Sequence, residues 1–494
     1  MQLHRRSLLM SASALATSWP ISGASADVSA VTPTGKNVTV TSADMAALDG
    51  KLTGDVLTSS NAPYEEVRKN WNGSFDRKPA LIARCHSTAD VAAAVRFARE
   101  RDLLVAVRAG GHSYSGQSSV DDGMMIDLQP MKTLDIDPQG KRAKAAAGVF
   151  LGEFDRATQN YGLATTAGTV PHTGLAGLTL GGGVGRLMKL HGMTIDNLLS
   201  VELVTAEGEV LRASATENPD LFWGVRGGAG NFGIVTSFEY QLHPVGPNVQ
   251  IFSYRYAGDE ARRVLKFFFE YTHNAPDRLH TFGGVSTTAD GTLVASINGT
   301  HFGPPEEAEG LLSPVTKFAK PISSRLETVK YVDVQQGGPN PAPHGRGQYS
   351  TGGYTGIEPK MVDPAVDRFL EDPMPGVSVS FFSLGGATAR IANDATAFAH
   401  RDALFSVSVS SNWSDPRGLG QGQGEQLMSW CRETWQTLRP FGDGGYYANL
   451  TSDTSEKAVR ENYRGNYDRL VALKTKYDPT NFFRMNANIR PKSA

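Results

Sequence analysis

Cysteine is nearly missing from this chain: Cys85 and Cys431 are the only two in 494 residues. That is too few for a disulfide framework, a four-thiolate zinc site or an iron–sulfur cluster, and it leaves room for one bridge at most. A surplus of one charge is missing too, with 48 basic residues against 50 acidic ones. The basic excess that a nucleic-acid partner would call for is therefore absent. The one apolar stretch near the N-terminus is broken by Ser11, Ser13, Thr17 and Ser18. It falls below the roughly 18 residues that cross a bilayer, so no membrane anchor is expected. The two familiar nucleotide motifs also fail. Gly181-Gly182-Gly183-Val184-Gly185 lacks the Gly-Lys-Ser/Thr ending of a phosphate-binding loop, and no clear strand leads into a dinucleotide fingerprint there. What remains is an ordinary globular composition, 40% hydrophobic and 20% charged, long enough for two large domains.

The first residues stand apart from the fold. His4-Arg5-Arg6-Ser7-Leu8-Leu9, an apolar stretch to Ile21 and Ala24-Ser25-Ala26 before Asp27 form an export-signal pattern. The paired arginines before Ser-Leu-Leu resemble a bacterial twin-arginine signal, whose pathway carries proteins already folded around a cofactor. An ordinary secretory signal with two arginines is the other reading. Residues 1–26 are expected to be removed, leaving a mildly acidic protein in the periplasm or outside the cell.

Ser87-Thr88-Ala89-Asp90 forms a helix start, with Val91, Ala94, Val95 and Ala98 at helical spacing to about Glu100. Leu103 to Val107 reads as a buried strand emptying into Arg108-Ala109-Gly110-Gly111-His112-Ser113. Val201 to Ala206 and Glu209 to Ala213 flank Glu207-Gly208 as a hairpin. Beyond Pro247, strand patterns at Leu293–Ile297, Val377–Leu384 and Leu404–Val409 alternate with a helical one at Arg262–Thr272, which predicts a second, α+β domain. Gln335 to Gly353 reads as a long surface loop. Val459, Tyr463, Tyr467, Leu470, Leu473 and Tyr477 predict a last helix, stopped by Asp478-Pro479.

Glycine is in excess, 53 residues, and it is clustered. Seven lie between Gly168 and Gly185, and five between Gly224 and Gly233. Glycine costs about 0.5–1 kcal/mol relative to alanine in regular structure, so such density marks turns or backbone that approaches something closely. A phosphate-bearing cofactor is the natural partner, because unhindered successive N–H groups form an anion-binding concavity.

Five segments then appear in a telling order: Arg108–Ser113, Gly174-Leu-Ala-Gly-Leu-Thr-Leu-Gly-Gly-Gly183, Gly192–Asn197, Asn218–Trp223 and Gly227–Gly233. With Tyr447-Ala-Asn449, Lys476–Phe483 and Asn486–Pro491 in the tail, the chain resembles the vanillyl-alcohol-oxidase-type flavoproteins and, more narrowly, the berberine-bridge-enzyme-like FAD oxidases. The resemblance implies an α+β fold in which a two-part PCMH-type FAD-binding domain, residues 75–247, is completed by a C-terminal segment, 446–492. Between these it implies a substrate domain, 248–445, with an antiparallel sheet backed by helices.

The same resemblance implies a cofactor site for FAD at Arg108, Ala109, Gly110, Gly111, His112 and Ser113, at Gly168, Thr169, Thr173, Gly174 and Gly177, and at Gly181, Gly182 and Gly183. Gly233, Ile234, Val235, Asn486 and Asn488 complete it, and no metal is expected. His112 matches the histidine bonded covalently to the flavin. Relatives with a second, cysteinyl link carry Gly-Xaa-Cys-Pro where this chain has Gly168-Thr169-Val170-Pro171, so one attachment is expected. Thr173, nearly isosteric with valine, sits where the family controls oxygen access and implies an oxidase that makes hydrogen peroxide.

The reaction class is hydride removal from an alcohol, hemiacetal or amine carbon of a small molecule, with a base taking the neighbouring proton. The family's flavin-side tyrosine matches Tyr447, with Tyr446 and Tyr114 as further candidates, while Leu450 stands where the family's second tyrosine would be. Sugar-oxidising relatives carry Gln and Asp on the strand where this chain has Ser380-Phe381-Phe382-Ser383. That departure favours an aromatic or apolar substrate; an oligosaccharide oxidase, or a dehydrogenase using another acceptor, is the alternative.

Overall fold

A computed structural model of the chain describes residues 26–492 except 289, 338–341, 357–358 and 415–421. The export signal, apart from Ala26, lies outside the described residues.

The first half builds two sheets around one core. Asp55–Leu57, Leu81–Arg84, Met124–Asp127 and Val105–Arg108 lie side by side in that order, the last three parallel. Their near-continuous apolar character follows from burial on both faces. Helix Thr88–Glu100 connects two of them, and the Ser87 hydroxyl caps it by accepting from the Asp90 amide at 3.2 Å. Val91, Ala94, Val95 and Ala98 all point into the core, as their spacing requires. The second sheet is antiparallel, in the order Val210–Ser214, Leu198–Val204, Ile234–Gln241, Arg142–Ala146, Leu134–Asp137. Its first two strands form the predicted hairpin, turned at Gly208 with φ +77°.

The second half is one seven-stranded antiparallel sheet, in the order Ser323–Lys330, Asn248–Ala257, Leu293–His301, Leu279–Thr287, Val377–Ser383, Phe405–Trp413, Gly347–Thr355. Helices Ala261–Asn274, Val362–Glu371 and Gln423–Leu438 cover one face, where Phe268, Phe269, Phe381, Phe405 and Trp430 pack together. The two cysteines belong to different cores, and both are free and buried; no bridge joins them.

Two expectations need correction. The supposed loop from Gln335 to Gly353 is shorter: Tyr331–Gln336 is a helix, and Gly347–Thr355 is an edge strand of the large sheet. Its glycines, Gly352 and Gly353, are demanded by packing, since a Cβ at 352 would meet the Val407 carbonyl oxygen at 1.9 Å. The last helix is two, Glu456–Tyr463 and Tyr467–Tyr477, because Arg464 has φ +44°. Spacing alone does not register such a break, and of the predicted apolar positions Val459, Tyr463, Tyr467, Leu470 and Leu473 are buried while Tyr477 is half-buried.

The C-terminal segment returns to the first core, where Val459, Tyr463, Tyr467, Leu470 and Ile489 are buried. A fully buried ion pair fixes it. Lys474 Nζ reaches Asp478 Oδ2 at 2.7 Å and donates to the carbonyls of Asn231 and Phe483, while Asp478 accepts from the Phe482 and Phe483 amides. Both charges are thus fully hydrogen-bonded, the condition under which a buried pair is tolerated.

Candidate active site

Strand Val105–Arg108 ends in the glycine loop, and the loop is shaped from behind. Arg108 turns away from the cavity to pair with buried Asp127 on the neighbouring strand, Nη1 to Oδ1 at 3.0 Å. Gly110 lies against Gly174, where an added Cβ would sit 2.2 Å from the Gly174 nitrogen. Only glycine allows that approach. Among the described residues, the amides of Gly110, Gly111, His112 and Ser113 donate to no protein acceptor. Four unpaired N–H groups in succession form a concavity for an anion, and a dinucleotide's diphosphate fits it.

His112 stacks on Trp71, with ring centroids 4.3 Å apart and planes 13° from parallel. Its Nε2 lies 2.7 Å from His172 Nδ1, and His344 packs on His172 at 4.6 Å between centroids. Burial pushes the His112 imidazole down to about 2, and the two neighbouring histidines add to this. The ring is therefore neutral at physiological pH, the form in which an imidazole nitrogen is a nucleophile. Trp71, His172 and His344 were not singled out from the sequence. His172 lies one residue past Pro171 of the Gly168–Pro171 motif, and only proximity in space connects it to His112.

A cavity of about 530 Å³ runs from this loop to the large sheet. On the loop side it is lined by Ala109–Tyr114, Gly168, Thr169, Val170, Thr173, Gly174 and Gly177. Gly233, Ile234, Val235 and Asn486 line it from the other glycine cluster and the tail. Asn486 Oδ1 is buried and without a hydrogen-bond partner, an acceptor that a bound group could satisfy. Opposite stand Ser380, Phe382, Ser406 and Ser408. Alternation along the strand turns Phe381 into the helix-backed core, so Phe382 alone of the pair faces the cavity. No Asp, Glu, Lys or Arg is among the described residues that line it.

Tyr447 reaches the cavity from the C-terminal segment. Its hydroxyl oxygen accepts from the amides of Gly183 and Val184 at 2.9 and 3.1 Å and from Asn449 Nδ2 at 3.0 Å. Burial pushes this phenol above its ordinary value of 10.0, and the three donors pull it back in part. Tyr114 also lines the cavity, and burial raises it to about 12.

Several predicted residues lie elsewhere. Gly181, Gly182 and Gly183 do not line the cavity; a Cβ at 181 would strike Asn449 of the C-terminal segment, while one at 182 would press on Met193 and one at 183 on Thr194. Arg108, Tyr446 and Asn488 are outside the lining as well. Tyr446 keeps a buried hydroxyl with no partner and is pushed strongly upward by burial.

Comparison with known proteins agrees with this geometry. The family described as "FAD binding domain" matches residues 79–214, and that described as "Berberine and berberine like" matches 446–490. The FAD-linked oxidoreductase YgaK of Bacillus subtilis is 34% identical, over 89% of this chain and 98% of its own length. (R)-6-hydroxynicotine oxidase of Paenarthrobacter nicotinovorans is 30% identical, over 90% and 98%. The solved structure of 6-hydroxy-D-nicotine oxidase from Arthrobacter nicotinovorans superposes with a TM-score of 0.80 at 28% identity, covering 89% of this chain and 98% of that one.

Proposed function

Because this chain belongs to the berberine-bridge-type FAD-linked oxidoreductases, we propose that it is an oxidase for a neutral, aromatic or apolar alcohol or amine that returns its electrons to oxygen as hydrogen peroxide. The observation that carries this reading is the cavity wall. A lining without formal charge would leave a charged substrate without a partner in a desolvated site, whereas Phe382 offers an aromatic surface and Ser380, Ser406 and Ser408 offer neutral hydrogen bonds.

A bound flavin supplies the hydride acceptor. The chain would supply the rest: the loop amides would hold the diphosphate and His112 would be the covalent anchor of the ring system, its orientation fixed by the stack on Trp71 and the contact with His172. With no carboxylate among the described residues of the lining, the proton goes to a phenol. Tyr447 is assigned this role because its oxygen sits among three N–H donors, the surroundings that best stabilise a phenolate.

The test is anaerobic mixing of the flavin-loaded protein with a panel of aromatic and aliphatic alcohols, amines and oligosaccharides. Bleaching by neutral aromatic compounds, followed by reoxidation in air with stoichiometric peroxide, is expected. Oligosaccharides belong in the panel because three serines could bond sugar hydroxyls, and bleaching by sugars alone would replace the substrate reading. Reoxidation taking many minutes would mean a dehydrogenase. We further propose that Arg5 and Arg6 direct export of the folded protein; replacing both by lysine should strand it in the cytoplasm, and undiminished export would refute the twin-arginine route.

A further inference from the structure

Strand Ser323–Lys330 forms one edge of the seven-stranded sheet, and it is bare. Seven of its eight residues are exposed and only Val329 is half-buried, whereas the opposite edge strand, Gly347–Thr355, is largely buried. Among the described residues no strand pairs with its outer side. It contains no proline, and its register against Asn248–Arg255 runs without a bulge. Proteins usually blunt such an edge, because its unpaired N–H and C=O groups are a template for another strand.

The hydrogen-bond phase shows which residues present those groups. Tyr331 donates to the Pro247 carbonyl at 2.7 Å in continuation of the strand's register, so odd-numbered residues bond inward. Ser324, Leu326, Thr328 and Lys330 therefore turn their N–H and C=O groups outward. A twofold axis joining two such edges must pair even residues with even ones, which leaves few registers. Centring on Leu326 sets Leu326 against its own copy and Ser324 against Thr328. It also sets Arg325 directly opposite Glu327, twice, in the non-hydrogen-bonded sites where side chains come closest. Shifting the pairing by two residues either way brings Glu327 against Glu327 or Arg325 against Arg325. Within one chain Arg325 Nη2 and Glu327 Oε2 already lie 2.7 Å apart on the same face, both about half exposed, so the dimer would close a ring of four alternating charges. Leu326, 41% exposed, would lose its contact with water at the axis.

We propose that this protein forms a twofold-symmetric dimer through antiparallel pairing of Ser323–Lys330 with the same strand of a second copy, in the register centred on Leu326. The occupant is the chain itself because the strand is its own charge complement.

Sedimentation velocity of the flavin-loaded protein at micromolar concentration tests this. A dimer is expected. Leu326→Pro deletes an outward N–H and no inward hydrogen bond, so it should give a folded, fully active monomer. Arg325→Glu and Glu327→Arg should each raise the dissociation constant by at least about tenfold by setting like charges opposite each other, and R325E/E327R together should restore the dimer. A monomeric wild type overturns the proposal, as does a dimer that survives Leu326→Pro. A dimer broken by proline but indifferent to the charge reversals overturns the register.

Discussion

Replacing Tyr447 by phenylalanine separates chemistry from packing, because it removes one oxygen and leaves the ring in place. In the wild type that oxygen serves three donors: the Gly183 and Val184 amides and Asn449 Nδ2. Asn449 keeps a second acceptor in the Leu178 carbonyl at 2.9 Å, but the two backbone amides lose theirs. A buried group left unpaired costs about 1–3 kcal/mol, so with two such amides the variant should lose roughly 2–6 kcal/mol and melt several degrees lower. FAD content should survive, since the loop amides do not depend on this hydroxyl. If Tyr447 takes the proton, anaerobic flavin reduction measured by stopped flow should slow by about 10²–10⁴. The pH profile is the sharper readout. A phenol raised above 10.0 by burial holds a phenolate fraction that grows about tenfold per pH unit below its pKa, so the wild-type reduction rate should climb with pH across the neutral and alkaline range. In Tyr447→Phe the climb should vanish. A lower melting temperature with reduction slowed less than about tenfold, or a wild-type profile that is already flat, would show that the hydroxyl only holds the C-terminal segment to the glycine turn.

Acid-precipitated wild type should stay yellow, with peptide mass analysis placing one FAD on His112, whose Nδ1 is left free by the contact of Nε2 with His172; His112→Ala should release its flavin, and attachment at Cys85 or Cys431 would refute the assignment. Lys474→Met strands the buried Asp478 carboxylate and should cost about 3–5 kcal/mol, with less FAD incorporated because Lys474 also holds the Asn231 carbonyl beside the cavity-lining Gly230; an unchanged melting temperature would mean that the pair is dispensable. Asp155 is buried and raised from 3.8 to about 7, so the folded state binds the extra proton and stability should fall by up to about 4 kcal/mol as pH rises between those values. Asp155→Asn should match wild type near pH 4 and exceed it at pH 8, and parallel melting curves at both pH values would refute the shift.

The helix from Thr88 and the hairpin around Gly208 follow from local rules, a cap with 3.6-residue spacing and a turn that needs positive φ, so neighbouring residues suffice to specify them. The loop Ala109–Ser113 was legible for a related reason: a bare backbone concavity demands glycine wherever it is built. Packing between distant segments leaves a weaker trace. Gly181–Gly183 read as cofactor contacts, yet Gly181 lies against Asn449, more than 260 positions away, and Gly182 and Gly183 against Met193 and Thr194. The positive φ at Arg464 sits inside an unbroken apolar period, so nothing local records it. The cavity wall, free of Asp, Glu, Lys and Arg among the described residues, was decided only when the strands carrying Phe382 and Ser408 were brought to the same cavity as His112. The ordered motifs, through their resemblance to a known family, thus pointed to an FAD-linked oxidoreductase. Which side chains surround the reacting atoms is set by contacts whose partners lie far apart in the chain, where no periodicity reaches and only the tertiary fold brings them together.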